Sequence, residues 1–553
     1  MLGLLLSLGV VEAAEPVEPA RIATLDVPGP KAFVKAAREV VDLAAAIDPS
    51  IAANAGLFDD AVRVPRYDPA SVRVLEARLD KVLAKLAKVP WATLDVHTQV
   101  DLRWVYAVAE TQRRALVVER AYTHRPGQWL EPVSNDLIAL ASYAPERPEL
   151  QDQVLALVPA MVAEMRTTCA EPTRRDIETG IALARALSGM AASRNATAAV
   201  KALDDYAVWL GTLTPTGEFT VIGADNYRWR LERAALLPWD PDALVARAEA
   251  ALAAVDAELA TIPPPEQVPP TDEQRALAAA LDRDRLLAMY DAIEDAHRAA
   301  TIAGGWVSIP DTVGPIRARE TPDALVPLTG DGGSMNPPPT FGASNVGYWN
   351  VEHFRPEWTE EERVAKVRAA ERFRTNQMGP YAAHEGYPGH HLQLAIARSN
   401  PDPLRSILAD PVQNEGWGLY AEEAFQQHGG LGDAPAARAN TLRSYRFRIL
   451  RVATDVKVET GAWTLEQAAI YKYGPDGEVD EDVLRAINWP TQLVCYFAGK
   501  AQIVDLFAAW RAKNPDAPER AFHDAFLAAG SIPIALIRAE LLGEPVPPIP
   551  SSR

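Results

Sequence analysis

The stretch Tyr381-Ala-Ala-His-Glu-Gly-Tyr-Pro-Gly-His-His-Leu-Gln393 constrains this chain more than any other. It gathers three of the nine histidines, His384, His390 and His391, and places Glu385 directly after the first. A His-Glu pair followed one turn later by a second His is the pattern of zinc hydrolases, because side chains at i and i+4 share a helix face. Here Gly386, Tyr387, Pro388 and Gly389 separate Glu385 from the next His. On an unbroken helix His390 stands about 240° round from His384, too far to share an ion. Pro388 changes that geometry. Inside a helix it removes its own N–H bond to the His384 carbonyl and clashes with it, while Gly389 tolerates unusual backbone angles. The sequence therefore predicts a bulge over 386–389 that returns His390 to the face of His384, an unwinding often found at functional sites. The plain alternative is a helix that ends at Gly386, with Pro388 opening another and the histidines capping it.

Downstream, Asn414-Glu-Gly-Trp-Gly-Leu-Tyr-Ala-Glu422 places Glu415, Leu419 and Glu422 on one helix face. Together with His384-Glu-Gly-Tyr-Pro-Gly-His-His-Leu-Gln393, this run resembles the bacterial family called domain of unknown function 885. Further matches are 451–463, Arg485-Ala-Ile-Asn-Trp-Pro-Thr-Gln-Leu-Val-Cys-Tyr496 and Ile222-Gly-Ala-Asp-Asn-Tyr227, so the similarity spans most of the chain. That family in turn resembles metallopeptidases with a His-Glu-x-x-His helix and a glutamate from the next helix as third ligand. The resemblance implies a large, mainly helical metallopeptidase-like fold with a small β element near the active site. It implies Zn2+ held by His384, His390 and Glu415. Glu422, on the face of Glu415, reads as support behind the ligands or as another water-facing acid, and a salt-bridged surface pair is the ordinary reading of either glutamate. One departure stands out. Where the family places a histidine four residues after Asp455, this chain carries Glu459.

Composition narrows the classes. At 553 residues the chain can bury one large core or two to three ordinary ones. Its net charge of −19 disfavours nucleic acid and anionic membrane as partners; a soluble, self-repelling surface is the ordinary reading. The two cysteines, Cys169 and Cys495, lack the spacing of a metal or redox motif. The apolar run at the start, closed by Ala13 and Ala14, resembles a secretory signal without its basic n-region, so residues 1–14 are expected to be a signal peptide of an exported, periplasmic protein. The alternative is a hydrophobic N-terminus on a cytoplasmic protein. No later stretch offers about 20 apolar residues, so no integral membrane segment is expected.

The rest reads as helices. Phe33, Ala37, Val40, Ala44 and Ile47 keep helical spacing, as do Leu75, Leu79, Val82 and Leu86, and Asp240-Pro241 is a helix start. Residues 15–262 are expected to form an N-terminal helical region and 273–553 a metal-site region, packed as one unit across the Pro-rich linker 263–270. One helix is expected from 272 to 297 and another from 360 to 377. Val346-Gly-Tyr-Trp-Asn-Val-Glu352 reads as an edge strand. Such an edge, with Tyr348 and Asn350 upon it, could hold a peptide as an added strand; a buried hairpin without ligand is the alternative. Arg443, Arg446, Arg448 and Arg451 precede Asp455, with Arg451 and Asp455 at i,i+4 spacing; the run is either a solvated helix face or a cationic clamp for a peptide carboxylate. Gln492, Tyr496 and Lys500 form a polar stripe on a helix opened by Pro490 and need partners.

The expected function is a zinc peptidase. Glu385 is the candidate general base, Tyr496 the candidate oxyanion donor, and Tyr348, Asn350, Arg451, Glu459 and Gln492 the candidate substrate contacts. The competing readings are a non-catalytic exported binding protein with a structural or degenerate metal site, and a metal hydrolase acting on another amide.

Overall fold

Acidic and hydroxyl side chains start many of the long helices. Asp68 accepts from the amides of Ala70 and Ser71, Asp240 from that of Ala243, and Asp410 from that of Gln413; each is followed by a proline in the first turn. These caps satisfy amides that have no partner within the helix, at about 1 kcal/mol each. The computed structural model describes residues 20–550 apart from 264–268, 324, 327–329, 375–379 and 431–434. The expected signal peptide, the centre of the linker and 375–377 of the expected 360–377 helix lie outside the described residues.

The structure is 66% helical with one small three-stranded sheet. Before the linker, α1 (Lys31–Ile47), α2 (Pro69–Leu86), α3 (Val96–Arg114) and α4 (Gly127–Tyr143) are followed by further helices through α5 (Pro241–Leu259). The apolar stripes read from sequence face inward: Phe33, Ala37, Val40 and Ala44 on α1, and Leu75, Leu79, Val82 and Leu86 on α2, are buried. One hydrophobic cluster extends from Ile22 to Val546, so the regions on either side of the linker share a core.

After the linker the expected 272–297 helix is two, α6 (Asp272–Ala279) and α7 (Arg283–Gly304). The break has a local cause: Asp282 is extended and accepts from the Arg285 amide, starting α7 afresh. Three strands follow, β1 (Ile316–Glu320), β2 (Ser334–Asn336) and β3 (Gly347–Val351), in the order β1-β3-β2. β3 pairs parallel with β1 and antiparallel with β2. It is therefore the central strand, and the edge expected over 346–352 is already filled on both sides. The small sheet does stand beside the site, because Tyr381 Oη donates to the Gly333 carbonyl just before β2.

The site-bearing helices are α8 (Tyr381–Glu385), α9 (His390–Ala397), α10 (Pro411–Gln427), α11 (Pro435–Glu459), α12 (Leu465–Tyr473), α13 (Glu481–Asn488) and α14 (Gln492–Lys513). α10 and α14 cross closely: a Cβ on Gly416 would lie 2.4 Å from the Gly499 Cα, and one on Gly499 2.1 Å from the Val412 carbonyl oxygen. α14 is, by length and composition, apolar enough to cross a membrane, which the sequence reading had not anticipated. Yet 72% of its apolar window is buried against its neighbours, as in the core helix of a folded domain.

Candidate metal centre

The His-rich stretch is neither a regular helix nor a bulge inside one. α8 ends at Glu385, four residues turn, and α9 begins at His390. The Tyr387–Pro388 peptide is cis. Tertiary partners hold the link from several sides. The Tyr387 amide donates to Glu294 Oε2 of α7 at 3.1 Å, Tyr387 Oη to the Gly314 carbonyl at 2.8 Å, and Trp417 Nε1 of α10 to the Pro388 carbonyl at 3.0 Å. The link is also packed too closely for side chains at its glycines. A Cβ on Gly389 would lie 1.9 Å from the His384 carbonyl oxygen, and one on Gly386 1.7 Å from the Glu294 carboxylate.

This path brings the His384 and His390 rings to 4.6 Å between centroids, nearly perpendicular. His384 Nε2 lies 3.4 Å and His390 Nε2 3.3 Å from Glu415 Oε2. The three ligand atoms lie within 4.8 Å of one another. Behind the cluster, His384 Nδ1 meets Glu422 Oε1 at 2.8 Å. That contact places the ring proton on Nδ1 and turns the Nε2 lone pair toward the centre, the arrangement of metal-ligating imidazoles. Two imidazoles and one carboxylate are a donor set that suits Zn2+.

The electrostatics agree. Burial works against charge on Glu415, but hydrogen bonds with His384 and His390 hold its carboxyl well below the ordinary range. Burial likewise opposes protonation of His384, yet Glu415 and Glu422 outweigh it and push the ring up to about 9. A cation entering the cluster competes with that proton. Glu385 is buried beside the cluster. Burial raises its carboxyl, opposed by the neighbouring His390 and His384.

His391 faces away. Its Nε2 lies 2.8 Å from the Gly314 carbonyl, and a Cβ on Gly347 of β3 would lie 2.5 Å from its Nδ1. Burial pushes its ring down to about 4, so it stays neutral in the interior.

The other candidate residues divide. Gln492 and Tyr496 join the centre: Gln492 Nε2 donates to Glu415 Oε1 at 3.2 Å and to Tyr496 Oη at 3.2 Å, and the Tyr496 ring stacks 6.0 Å from that of His384. Lys500 leaves the stripe to pair with Glu423 at 2.7 Å. Arg451 does not pair with Asp455. It is buried against Asp482 of α13, while Asp455 accepts the amides of Thr491 and Leu493 at the start of α14. Glu459 is fully buried, with Oε2 on the Ile222 amide at 2.9 Å, and burial pushes its carboxyl up to about 8. Asn350 is fully buried too, bonded to Arg319, Ser334 and Asn336, and Tyr348 packs beneath the Arg319 guanidinium. These two residues hold the sheet together.

Sequence reading missed Arg485, Glu294 and Gly418. Arg485 Nη2 donates to Gln492 Oε1 at 3.0 Å and to Tyr496 Oη at 3.4 Å. Gly418 lies directly under the ligand ring, where a Cβ would stand 2.7 Å from His384 Cε1. Its signal was present: two glycines flanking Trp417 inside a helix mark close approach of another element.

Two imidazoles and a carboxylate converging in the interior of a mainly helical fold define a helical protein with a cluster of metal-ligand composition. The chain belongs to the family described as bacterial protein of unknown function (DUF885), whose model matches residues 49–541. No curated protein matches it. A solved structure described as "a putative lipoprotein of unknown function" from Shewanella oneidensis has the same fold, with a TM-score of 0.70 at 18% identity over 92% of this chain and 99% of that one. A second, "the putative lipoprotein" from Colwellia psychrerythraea, superposes with a TM-score of 0.67 at 15% identity over 93% of this chain and 99% of its own.

Proposed function

We propose that the protein is an exported zinc-dependent peptidase. The observation that carries this reading is the convergence of His384 Nε2, His390 Nε2 and Glu415 Oε2, with the carboxylate of Glu385 beside them and outside the ligand set. Zn2+ held there supplies Lewis acidity toward a carbonyl and lowers the pKa of water. Glu385 accepts the proton of the attacking water and passes it to the leaving amine. Its burial keeps that carboxylate poorly hydrated and more basic than a surface Glu. Tyr496 Oη accepts from Gln492 and Arg485, which leaves its own proton free to bond the developing oxyanion. Export is supported by the apolar start of the chain and by the lipoprotein descriptions of the two similar structures.

The test combines metal analysis with digestion of a diverse peptide library. Wild type is expected to hold zinc and cut peptides. Glu385→Gln keeps size but cannot take the proton, so zinc stays while turnover falls roughly 10²–10⁴-fold. Tyr496→Phe gives a smaller loss confined to kcat. If zinc binds and the library stays intact, the peptidase reading fails and a non-catalytic binding protein replaces it.

A further inference from the structure

Beyond Tyr496, as seen from the metal cluster, lies a group of basic side chains on three different helices: Arg448 and Arg451 of α11, Lys472 of α12, which burial and the neighbouring Arg451 push down to about 6, and Arg485 of α13. In a chain with net charge −19 this is a local reversal of sign. One carboxylate, Asp482, touches two of the four, Arg451 and Lys472. The other two have no ion pair among the described residues. Arg448 is half-buried, with its guanidinium carbon 5.4 Å from the Tyr496 ring centre and its buried Nε without a partner. Arg485 is also half-buried; it bonds only the neutral Gln492 amide and Tyr496 hydroxyl, and its buried Nε has no partner. Other arginines of α11 contrast with them. Arg438 bonds Glu258 and Glu423, and Arg446 bonds Asp256.

A half-buried guanidinium with no carboxylate bonded to it is costly, and Glu385 acts on Arg448 only through space; two such groups beside one tyrosine call for a negative ligand. We propose that Arg448 and Arg485 form the seat of a substrate carboxylate next to the metal cluster. The inference rests on the peptidase reading and gives it a substrate class, peptides bearing a carboxylate close to the cleaved bond. Guanidinium planes suit carboxylates because they offer two parallel N–H donors. The spacing suits a peptide as well. Gln492 bridges Arg485 to Glu415 through a single amide, 3.0 Å on one side and 3.2 Å on the other. That span is within reach of one or two extended residues at about 3.3–3.6 Å each. A carbonyl at the metal cluster thus leaves a C-terminal carboxylate, or a neighbouring acidic side chain, at the arginines. Arg451 and Lys472, joined through Asp482, form the wall behind the seat.

The test is binding, which does not depend on turnover. A fluorescein-labelled tetra-alanine peptide is titrated by anisotropy against the Zn2+-loaded full chain carrying Glu385→Gln. Three forms are compared: free C-terminal acid, C-terminal amide, and an amide in which one alanine is replaced by glutamate. The free acid is expected to bind roughly tenfold or more tighter than the plain amide. Arg448→Gln and Arg485→Gln should each erase most of that preference, and Arg448→Lys should restore part of it. Arg443→Gln, on the exposed side of α11, should leave it intact. If the glutamate-bearing amide binds as well as the free acid and loses this in the same variants, the seat holds and its carboxylate comes from a side chain. Equal binding of all three forms, or no binding by any, overturns the proposal, as does equal weakening of all three by the variants. Cleavage by the parent chain is scored separately. A carboxylate preference without any cleavage leaves the seat standing and removes the peptidase reading.

Discussion

His384 Nδ1 sits 2.8 Å from Glu422 Oε1, one carboxylate of α10 orienting a ring whose opposite nitrogen faces Glu415 of the same helix. A single helix thus supplies both a candidate ligand and the group that aims another. Gly418, between them in sequence, is the floor on which the ring rests.

The ligand set is expected to be His384, His390 and Glu415. Alanine at any of the three should reduce zinc from about one per chain to near zero by elemental analysis, because three protein ligands leave no redundancy. His391→Ala should keep the metal, since that ring bonds the Gly314 carbonyl instead. Loss of zinc in His391→Ala with retention in His390→Ala would refute the geometry.

Glu422→Gln removes the charge that fixes the His384 tautomer, and zinc affinity should fall about 10–100-fold while the fold persists. Gly418→Ala should lower affinity by another route, its Cβ pushing the ring aside from 2.7 Å. Competition against a fluorescent chelator measures both. Unchanged affinity in Glu422→Gln would make that contact irrelevant to the metal.

Gly499→Ala should destabilise the protein and weaken the site together. The new Cβ meets backbone, the Val412 carbonyl at 2.1 Å and Gly416 Cα at 2.5 Å, so α10 and α14 must separate. A cost of about 1–3 kcal/mol is expected for such overpacking. Denaturant unfolding of the metal-free chain gives the first effect, and zinc titration gives the second. A variant with unchanged stability would mean that the helices part freely.

The Glu423 ion pair predicts an acid dependence of stability. Lys500 at 2.7 Å, aided by Arg438 at 2.8 Å, outweighs burial and holds the Glu423 carboxyl down at about 2, against 4.5 unperturbed. A depressed carboxylate pKa stabilises the fold above the unfolded value and loses that contribution as pH falls through the folded one. The pair should therefore contribute its full share, on the order of 3 kcal/mol, above about pH 5, and lose it between pH 4.5 and 2. In Glu423→Gln the unfolding free energy should fall less steeply across that window. An unchanged slope would show that Glu423 is not depressed.

The sequence by itself determined the class of fold, because helix periodicity and the Asp-Pro starts at Asp68, Asp240 and Asp410 act within a few residues of chain. It also determined which chemical groups could form a centre. Glu415 and Glu422, and Gln492 and Tyr496, share helix faces that spacing shows, whereas the ligand set joining His384 and His390 to Glu415 came from the resemblance. Only the tertiary structure decided how they meet. The turn between α8 and α9 follows from Glu294, Gly314 and Trp417, which lie 29 residues or more from their partners and leave no mark on local spacing. β3 became central because 316–320 and 334–336 fold onto it from both sides. Arg451 found Asp482 rather than Asp455, and Glu459 was sealed against Ile222 far along the chain. In each case the deciding partner comes from an element well removed along the chain, which spacing within one helix or strand cannot reveal.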